Sequence, residues 1–173
     1  MAHAKSYLRD RDATPAPVYE SRSASETDIR KIASRLCPAA LVEIEALSKY
    51  APVSFLLQNM DRNRVIVDWS KPDWPVAIID TAPVKDWNEA HIWVGLTEKA
   101  TDERNREAFN RYLRSLFDQL NGQHHQLLHH VAQSNFAQIR WLEQFGFIPF
   151  RRLSHYGDKQ TEYVVMRRAC ANV

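Results

Sequence analysis

Apolar residues between positions 108 and 120 follow the repeat of an α-helix more closely than any other part of the chain. Side chains three to four positions apart lie on one face of a helix, so these residues form a single apolar stripe, with charged residues opposite. The stripe consists of Ala108, Phe109, Tyr112, Leu113, Leu116, Phe117 and Leu120. The pattern predicts a helix of about 18 residues, with Thr101 as its cap and Asn121 and Gly122 at its end.

A second, shorter helix is predicted from residue 135 onward. Asn135 is a favourable N-cap residue, and Gln138 three positions later completes the pattern of a capping box. Gly146 supplies the left-handed position that ends many helices. The side chains expected to face the core are Phe136, Ile139, Leu142 and Phe145.

The first third of the chain predicts a short strand followed by helices. Val18–Arg22 is the candidate strand, and Ser25 followed by Asp28 is typical of a helix start. Further helices are predicted at Leu41–Leu47 and from Pro52 onward, since proline favours the first helical turn.

The remaining apolar runs are short and rich in β-branched residues, which predicts strands. Turn residues separate two of these runs as a first hairpin, and the last two runs form a second, long hairpin. The predicted strands are Arg64–Trp69, Pro75–Asp80, Ala90–Leu96, Leu127–Ala132, Phe147–His155 and Thr161–Arg168. This order predicts an α/β fold in which helices cover a mixed sheet.

Composition sets further bounds on the 173-residue chain. A net charge of +2 does not by itself indicate a nucleic-acid or membrane partner. Cys37 and Cys170 lie far apart, which favours neither a disulfide framework nor a zinc site. With no apolar run long enough to span a membrane, a cytoplasmic location is expected. One domain at 18–169 is predicted, with a flexible N-terminal tail at 1–17 and a C-terminal tail at 170–173.

The segment Val131–Phe147, with Asn135 and a Gly146-Phe147 pair, resembles the second half of the GNAT acetyltransferase core. The segment Tyr19–Ile32 is similar to the opening strand and first helix of that family. Within the family the chain looks closest to small phage-encoded GNAT-like proteins, some of them internal virion proteins. The resemblance implies a central twisted, mostly antiparallel sheet of about six to seven strands with flanking helices. For a phage-encoded protein, it also implies the host cytoplasm or a virion as the location.

In that family acetyl-CoA lies between two parallel strands that splay apart, here Ala90–Leu96 and Leu127–Ala132. Its diphosphate would lie at the start of the long helix, where backbone N–H groups and the helix dipole favour an anion. The cofactor-binding residues that the resemblance implies are Trp93, Val94, Gly95, Leu96, Thr97, Thr101 and Asn135.

Two positions depart from the family pattern. The segment Thr97–Arg104 contains none of the glycines that let backbone approach phosphate oxygens. Asp102 and Glu103 would in addition repel an anion. The tyrosine that often protonates the leaving thiolate is replaced by Leu142, which cannot transfer a proton.

Glu89 and His91 flank the central strand and are the candidate catalytic bases, acting through a water. Their alternative interpretation is as exposed residues at a strand end. His124, His125, His129 and His130 form the other conspicuous cluster. No metal site is expected there, because His129 and His130 point to opposite faces of a strand.

Four arginines and four tryptophans leave further alternatives open. Arg151, Arg152, Arg167 and Arg168 form either a basic patch or solvated strand ends, and the lack of interleaved aromatic residues favours the second. Trp69, Trp74, Trp87 and Trp93 either pack the sheet or border a partner site.

Three functional classes follow from these features. The first is an acetyl-CoA-dependent N-acyltransferase that acts on a small-molecule or protein amine. The second is a catalytically inactive GNAT-like accessory or virion protein that acts through contacts with a protein partner. The third, a nucleic-acid binder, is ranked last because the patch lacks aromatic residues and the net charge is small.

Overall fold

Helices and strands follow one another in the order that the sequence predicts, except that a short additional helix precedes the long one. The computed structural model describes residues 18–170, so the predicted tail at 1–17 and residues 171–173 of the predicted C-terminal tail lie outside the described residues. The strands are β1 (Tyr19–Ser23), β2 (Asn63–Asp68), β3 (Pro75–Val84), β4 (Glu89–Leu96), β5 (Gln126–Ala132), β6 (Ile148–Tyr156) and β7 (Thr161–Ala169). The helices are α1 (Glu26–Ala33), α2 (Pro38–Leu47), α3 (Pro52–Leu57), α4 (Glu98–Thr101), α5 (Glu103–Gln123) and α6 (Phe136–Glu143).

The seven strands form one sheet in the order β1-β2-β3-β4-β5-β7-β6. Neighbouring strands are antiparallel except for the central pair, in which β4 and β5 run parallel. The mixed, mostly antiparallel sheet with flanking helices confirms the predicted fold class. No helix within residues 18–170 is both long and apolar enough to cross a bilayer.

Helix α5 confirms the apolar stripe. Phe109, Leu113 and Phe117 are buried along its inner face, and Phe117 makes edge-on contacts with Phe145 and Phe147, each at a centroid distance of 5.4 Å. The α5 stripe and one face of the sheet therefore build the main core between them.

Helix α1 begins with the predicted cap. The Ser25 hydroxyl accepts from the Asp28 N–H, and the Asp28 carboxylate accepts from the Ser25 N–H, which completes a capping box. Burial acts to raise the pKa of Asp28, but hydrogen bonds from Arg22 and Ser25 lower it to about 2. The ion pair of Asp28 with Arg22, at 2.6 Å, thereby ties the start of α1 to β1.

Two predicted boundaries are wrong for local reasons. Thr101 is not the cap of the long helix: its hydroxyl donates to the Glu98 carbonyl inside α4, and the Asp102 carboxylate caps α5 by accepting from the Arg104 N–H. Strand β3 continues past Asp80 to Val84. Beyond Asp80 it pairs only with β4, so Pro83 directs its nitrogen, which has no hydrogen, to an unpaired edge.

The prediction for α6 is correct in part. Leu142 and Phe145 are buried and Gly146 has the expected positive φ of 83°. Asn135 caps the helix by accepting from the Gln138 N–H. Phe136, expected in the core, is instead 66% exposed, because the first helical residue points away from the sheet.

The four tryptophans separate into two groups. Trp93 is buried and packs edge-on against Phe55 at a centroid distance of 5.7 Å. Trp69, Trp74 and Trp87 are exposed. Only Trp93 therefore packs the sheet as the first interpretation expected.

Candidate active site

The central parallel pair opens shortly after it begins. Strands β4 and β5 pair at Glu89 with Gln126, at Ala90 with Leu127 and at His91 with Leu128, and no pair follows. Each strand continues past this point, β4 to Leu96 and β5 to Ala132. The two predicted strands therefore diverge, and a gap separates their C-terminal ends.

Backbone groups of β4 face this gap. The N–H of Thr97 donates to the Val76 carbonyl on the β3 side. Groups of alternate residues along a strand point to opposite neighbours, so Val94 directs its N–H and carbonyl into the gap. The carbonyl of Leu96 also points there, and it accepts from the Cys37 N–H at 2.8 Å.

Helix α2 bridges both sides of the gap. At its start, the Cys37 N–H bonds to β4. At its middle, the Glu43 carboxylate accepts from the Ala132 N–H of β5 at 3.0 Å and from the Asn135 side-chain amide at 3.0 Å. Gly157, in the turn between β6 and β7, lies directly against the end of α2, where an added Cβ would be 2.9 Å from the Ala46 carbonyl oxygen. Helix α2 is thus fixed to β4, β5 and the last hairpin.

Glu43 is a buried carboxyl group that the sequence did not single out. It is 1% exposed, and burial raises its pKa to about 7, although the bonds from Asn135 and Ala132 act to lower it. The Glu43 carboxyl group therefore loses its proton near neutral pH, whereas an exposed glutamate loses it at a lower pH. Residues 43 and 132 are 89 positions apart, so no local sequence pattern predicts their contact.

Asn135, a predicted cofactor residue, is engaged within the protein. Its amide donates to the Ala39 carbonyl and to Glu43, and its carbonyl oxygen accepts from the Gln138 N–H. The residue is 5% exposed. It therefore links β5, α6 and α2 at the edge of the gap.

The other predicted cofactor residues line the end of β4 and the segment that follows. Trp93 and Gly95 share one face, where the indole lies over the glycine: a Cβ on Gly95 would be 2.5 Å from Cη2 of Trp93. Thr97 is fully buried and its hydroxyl donates to the Val76 carbonyl at 2.7 Å. The hydroxyls of Thr97 and Thr101 thus both bond within the protein.

The start of α5 is acidic. Asp102 caps the helix and Glu103 lies in its first turn. The backbone N–H of Arg104 lowers the pKa of Asp102, so this carboxylate is charged at neutral pH. No glycine occurs between Leu96 and Asn121. The start of α5 therefore offers neither a glycine backbone nor a helix dipole that is free of neighbouring negative charge.

The predicted bases, Glu89 and His91, lie where the strands begin to diverge. The Glu89 carboxylate accepts from the side-chain amide of Gln126. The His91 ring contacts His130 across the gap at a centroid distance of 4.8 Å. Burial lowers the pKa of His91, while Glu89 acts to raise it and Arg151 to lower it.

His130 joins His91 to the last hairpin. Its Nδ1 lies 2.8 Å from the hydroxyl of Tyr156, and the Tyr156 ring packs on Tyr163 at 5.0 Å. Burial, together with the charges of His91 and Arg151, lowers the pKa of His130 to about 4. Both imidazoles are therefore neutral near pH 7.

Several polar atoms on this face are buried without a hydrogen-bond partner among residues 18–170, and they include Nε1 of Trp93 and Nε2 of His130. The Tyr163 hydroxyl lies on the same face, beside Thr161. Buried polar atoms are nearly always satisfied, by protein or by a bound molecule. Strand register places these side chains on one face, where β4 diverges from β5 and where β7 pairs with the end of β5. The site therefore presents a donor, a ring nitrogen and a hydroxyl to a polar group.

His129 lies on the opposite face from His130, as the alternation predicts. It is fully buried, and burial lowers its pKa to about 4. Within the described part of the chain, no three His, Cys, Asp or Glu side chains are grouped so as to hold a metal ion. Leu142 is also fully buried, so its position in α6 contributes no group to the gap.

The four arginines of the last hairpin do not form one patch. Arg168 bonds to Asp118, Asn121 and the Phe145 carbonyl, and Arg167 stacks on the Phe150 ring at 4.3 Å. Arg151 and Arg152 are exposed on β6. Of the four arginines, Arg151 and Arg152 are therefore solvent-exposed as predicted, whereas Arg167 and Arg168 are not.

Comparison with known proteins supports the architecture. No family model and no curated protein matches the chain. Among solved structures, the GNAT-family acetyltransferase from Bacillus anthracis has a TM-score of 0.62 at 13% identity, over 89% of this chain and 96% of that chain. The ribosomal-protein-alanine N-acetyltransferase from Brucella melitensis has 0.62 at 16%, over 87% and 99%. Ard1 from Thermoplasma volcanium has 0.61 at 17%, over 89% and 99%. The chain therefore has the fold of the GNAT acetyltransferases.

Proposed function

We propose that the chain is an acyl-CoA-dependent N-acyltransferase with a degenerate cofactor loop, which uses acetyl-CoA and acts on a small-molecule or protein amine. The observation that carries the proposal is the divergence of β4 from β5 directly after His91. Backbone groups of β4 line one side of the gap, and neutral imidazoles lie where it begins. This arrangement could hold a thioester and an amine close to each other for reaction.

Acetyl-CoA, when bound, supplies the activated acyl group. The pantetheine arm and the diphosphate of acetyl-CoA would lie beside different parts of the protein. The open edge of β4 at Val94 suits the amides of the pantetheine arm, whereas the acidic start of α5 does not suit the diphosphate. The residues that would hold or border the arm are Trp93, Val94, Gly95, Leu96, Thr97, Thr101 and Asn135. We therefore expect weaker acetyl-CoA binding than a glycine-rich loop would give.

In this proposal His91 and His130 take the proton of the incoming amine, with Glu89 as the carboxylate beside His91. An amine attacks only when its nitrogen has a free lone pair, and a neutral imidazole is the group that can accept the proton. If Nδ1 of His130 donates to the Tyr156 hydroxyl, then Nε2 has the lone pair and lies buried without a partner. Burial keeps both rings neutral but lowers their basicity, so in this proposal the proton is transferred as the bond between nitrogen and acyl carbon forms and the nitrogen becomes acidic.

The leaving thiolate needs a proton, which Leu142 cannot give. The hydroxyls of Tyr156 and Tyr163 lie on the same face as His130 and take this role in the proposal. Burial raises the pKa of Tyr156, so this hydroxyl retains its proton at neutral pH.

The test is a calorimetric titration of the full chain with acetyl-CoA, with CoA as the control ligand. Binding in the micromolar range, followed by thiol release with an amine or peptide acceptor, is the expected result. His130→Gln should then lower turnover while acetyl-CoA affinity is retained, and His125→Gln, an exposed histidine, is the matched control. No heat and no thermal shift at millimolar acetyl-CoA would contradict the proposal.

A second candidate is a catalytically inactive protein of this fold that acts through protein contacts, such as a phage accessory or virion protein. The exposed tryptophans Trp69, Trp74 and Trp87 favour it, because large exposed aromatic side chains often border a partner site. The acidic start of α5 also favours it. The titration above separates the two candidates.

A further inference from the structure

A groove of about 390 Å³ lies between α6 and the edge strand β6. Arg152 and Val164 lie opposite each other on the α6 side of this groove, whereas Arg151 lies on the other face of β6 and acts on His91 and His130 at the gap between β4 and β5. The residues that define it are Gln133, Phe136, Ile139, Phe150 and Arg152. Its walls therefore combine phenyl rings from two elements with a guanidinium group.

The aromatic side chains of this groove are unusually exposed. Phe136 is 66% exposed at the first position of α6, and Phe150 is 46% exposed on β6. Arg167 lies against the Phe150 ring, with its guanidinium carbon 4.3 Å from the ring centroid, which holds the ring in place. Such rings offer flat apolar faces to a partner rather than to the core.

The two neighbouring arginines of β6 have no acidic partner within residues 18–170. Arg151 and Arg152 are exposed, and neither forms an ion pair or a side-chain hydrogen bond there. Glu162 is engaged by the Ser154 hydroxyl at 3.2 Å. Nε of Arg167 is buried without a partner. The groove is therefore electropositive. The charge of Arg168, by contrast, is balanced by an ion pair with Asp118.

We propose that this groove binds single-stranded nucleic acid, with a base stacked on Phe136 or Phe150 and a backbone phosphate bound by Arg152. Exposed aromatic rings beside unpaired arginines are the combination that such proteins use, because every base has a flat face and every nucleotide a phosphate. The arginines of the last hairpin lack interleaved aromatic residues in the sequence, which disfavours this class of function. The fold supplies one of them, Phe136, from a separate helix.

Two other occupants fit less well. A second copy of the chain, related by a two-fold axis, would bring the arginine of one groove against that of the other. Repulsion between like charges opposes that arrangement. An acidic peptide would satisfy Arg152 but leave the faces of Phe136 and Phe150 without a matched partner. Nucleic acid satisfies both features at once.

The experiment measures fluorescence anisotropy of short labelled oligouridylate and oligothymidylate with the full chain over a range of salt concentrations. Binding should weaken with salt, and Arg152→Ala should reduce the log–log salt slope by about 0.7. Phe136→Ala should weaken binding by roughly 5- to 150-fold. Arg152 is the first choice for substitution because Arg151 also influences the pKa of His91 and His130.

Matched controls remove the same charge elsewhere. Arg30→Ala and Arg111→Ala each delete an exposed arginine that pairs with a glutamate on its own helix, and they should leave affinity nearly unchanged. Thermal melting establishes that each variant is folded. Four results would overturn the proposal: no anisotropy change with either oligonucleotide, equal losses in the control variants, equal binding of polyglutamate, or arginine-dependent dimerisation by light scattering.

Discussion

The close approach of Trp93 to Gly95 gives a sharp test of the candidate site. A methyl group added at Gly95 would be 2.5 Å from Cη2 and 2.8 Å from Cζ3 of Trp93, and 3.0 Å from Cγ2 of Ile78. Carbon atoms without a bond between them prefer about 3.5–4.0 Å. In Gly95→Ala the indole must therefore move by about 1 Å.

The indole has little room to move, because Trp93 is 9% exposed and its ring packs on Phe55. Overpacking of this kind costs about 1–3 kcal/mol. Removal of a strand glycine returns about 0.5–1 kcal/mol through the lower entropy of the unfolded chain. Because two indole carbons would lie within 3.0 Å of the added methyl group, the upper part of the overpacking cost applies, about 2–3 kcal/mol. We therefore expect the free energy of unfolding of Gly95→Ala to fall by about 1–2.5 kcal/mol.

Gly122→Ala is the matched control. Gly122 lies within α5, and a methyl group there would meet no atom within 4 Å. The same substitution should raise the free energy of unfolding by about 0.5–1 kcal/mol. Urea denaturation followed by far-ultraviolet circular dichroism measures both values, provided that the m-value stays constant. A Gly95→Ala protein as stable as the parent would refute the packing of Trp93 over Gly95.

Three further substitutions test the core, the buried histidine and the cap of α6. Phe109→Asp should unfold the domain because Phe109 is 1% exposed, whereas exposed Ser115→Asp on the same helix should melt normally. Burial lowers the pKa of His129 to about 4, so the unfolded chain binds its proton first and stability falls from about pH 6.5 toward pH 4, by up to about 3 kcal/mol. His129→Leu should flatten that dependence in urea titrations at several pH values; an unchanged slope would show that His129 does not cause it. Asn135→Ala should lower stability by about 1–2 kcal/mol and weaken acetyl-CoA binding. Unchanged affinity in calorimetry would remove Asn135 from the cofactor site.

The titration of Glu43 acts in the opposite direction to that of His129. Its pKa is raised to about 7 in the folded protein, from an ordinary value of 4.5. The stabilising contribution is therefore complete below pH 4.5 and is lost as the pH rises through about 7. Because the two effects overlap, the pH profile of the parent protein cannot assign either one. The single variants are needed to separate them.

Sequence periodicity predicted those helices and strands in which buried and exposed positions alternate regularly. The α5 stripe and the left-handed position of Gly146 were correct because each depends on local geometry. Phe136 was misplaced because periodicity describes a helix interior, whereas its first residue points away from the sheet. Thr101 was misplaced because a separate short helix, α4, uses its hydroxyl.

The candidate site was predicted in outline only. The divergence of the two parallel strands followed from the resemblance, and the pairing of β4 with β5 agrees with it. Glu89 and His91 were singled out because they flank the central strand. The contact of Tyr156 with His130 did not follow, because it joins residues 26 positions apart. Contacts of that range depend on strand order, which local patterns do not specify.

Helix α2 holds both edges of the gap through contacts that no local sequence motif specifies. One helix bonds to β4 through Cys37 and to β5 through Glu43, so both edges of the gap are held by one element. The same helix packs against the turn at Gly157, which positions Tyr156 beside His130. Groups that could move a proton are therefore held by contacts with α2 and the last hairpin, not by a glycine-rich loop. The contact between the imidazole of His130 and the phenol of Tyr156 therefore does not depend on any glycine between Leu96 and Asn121.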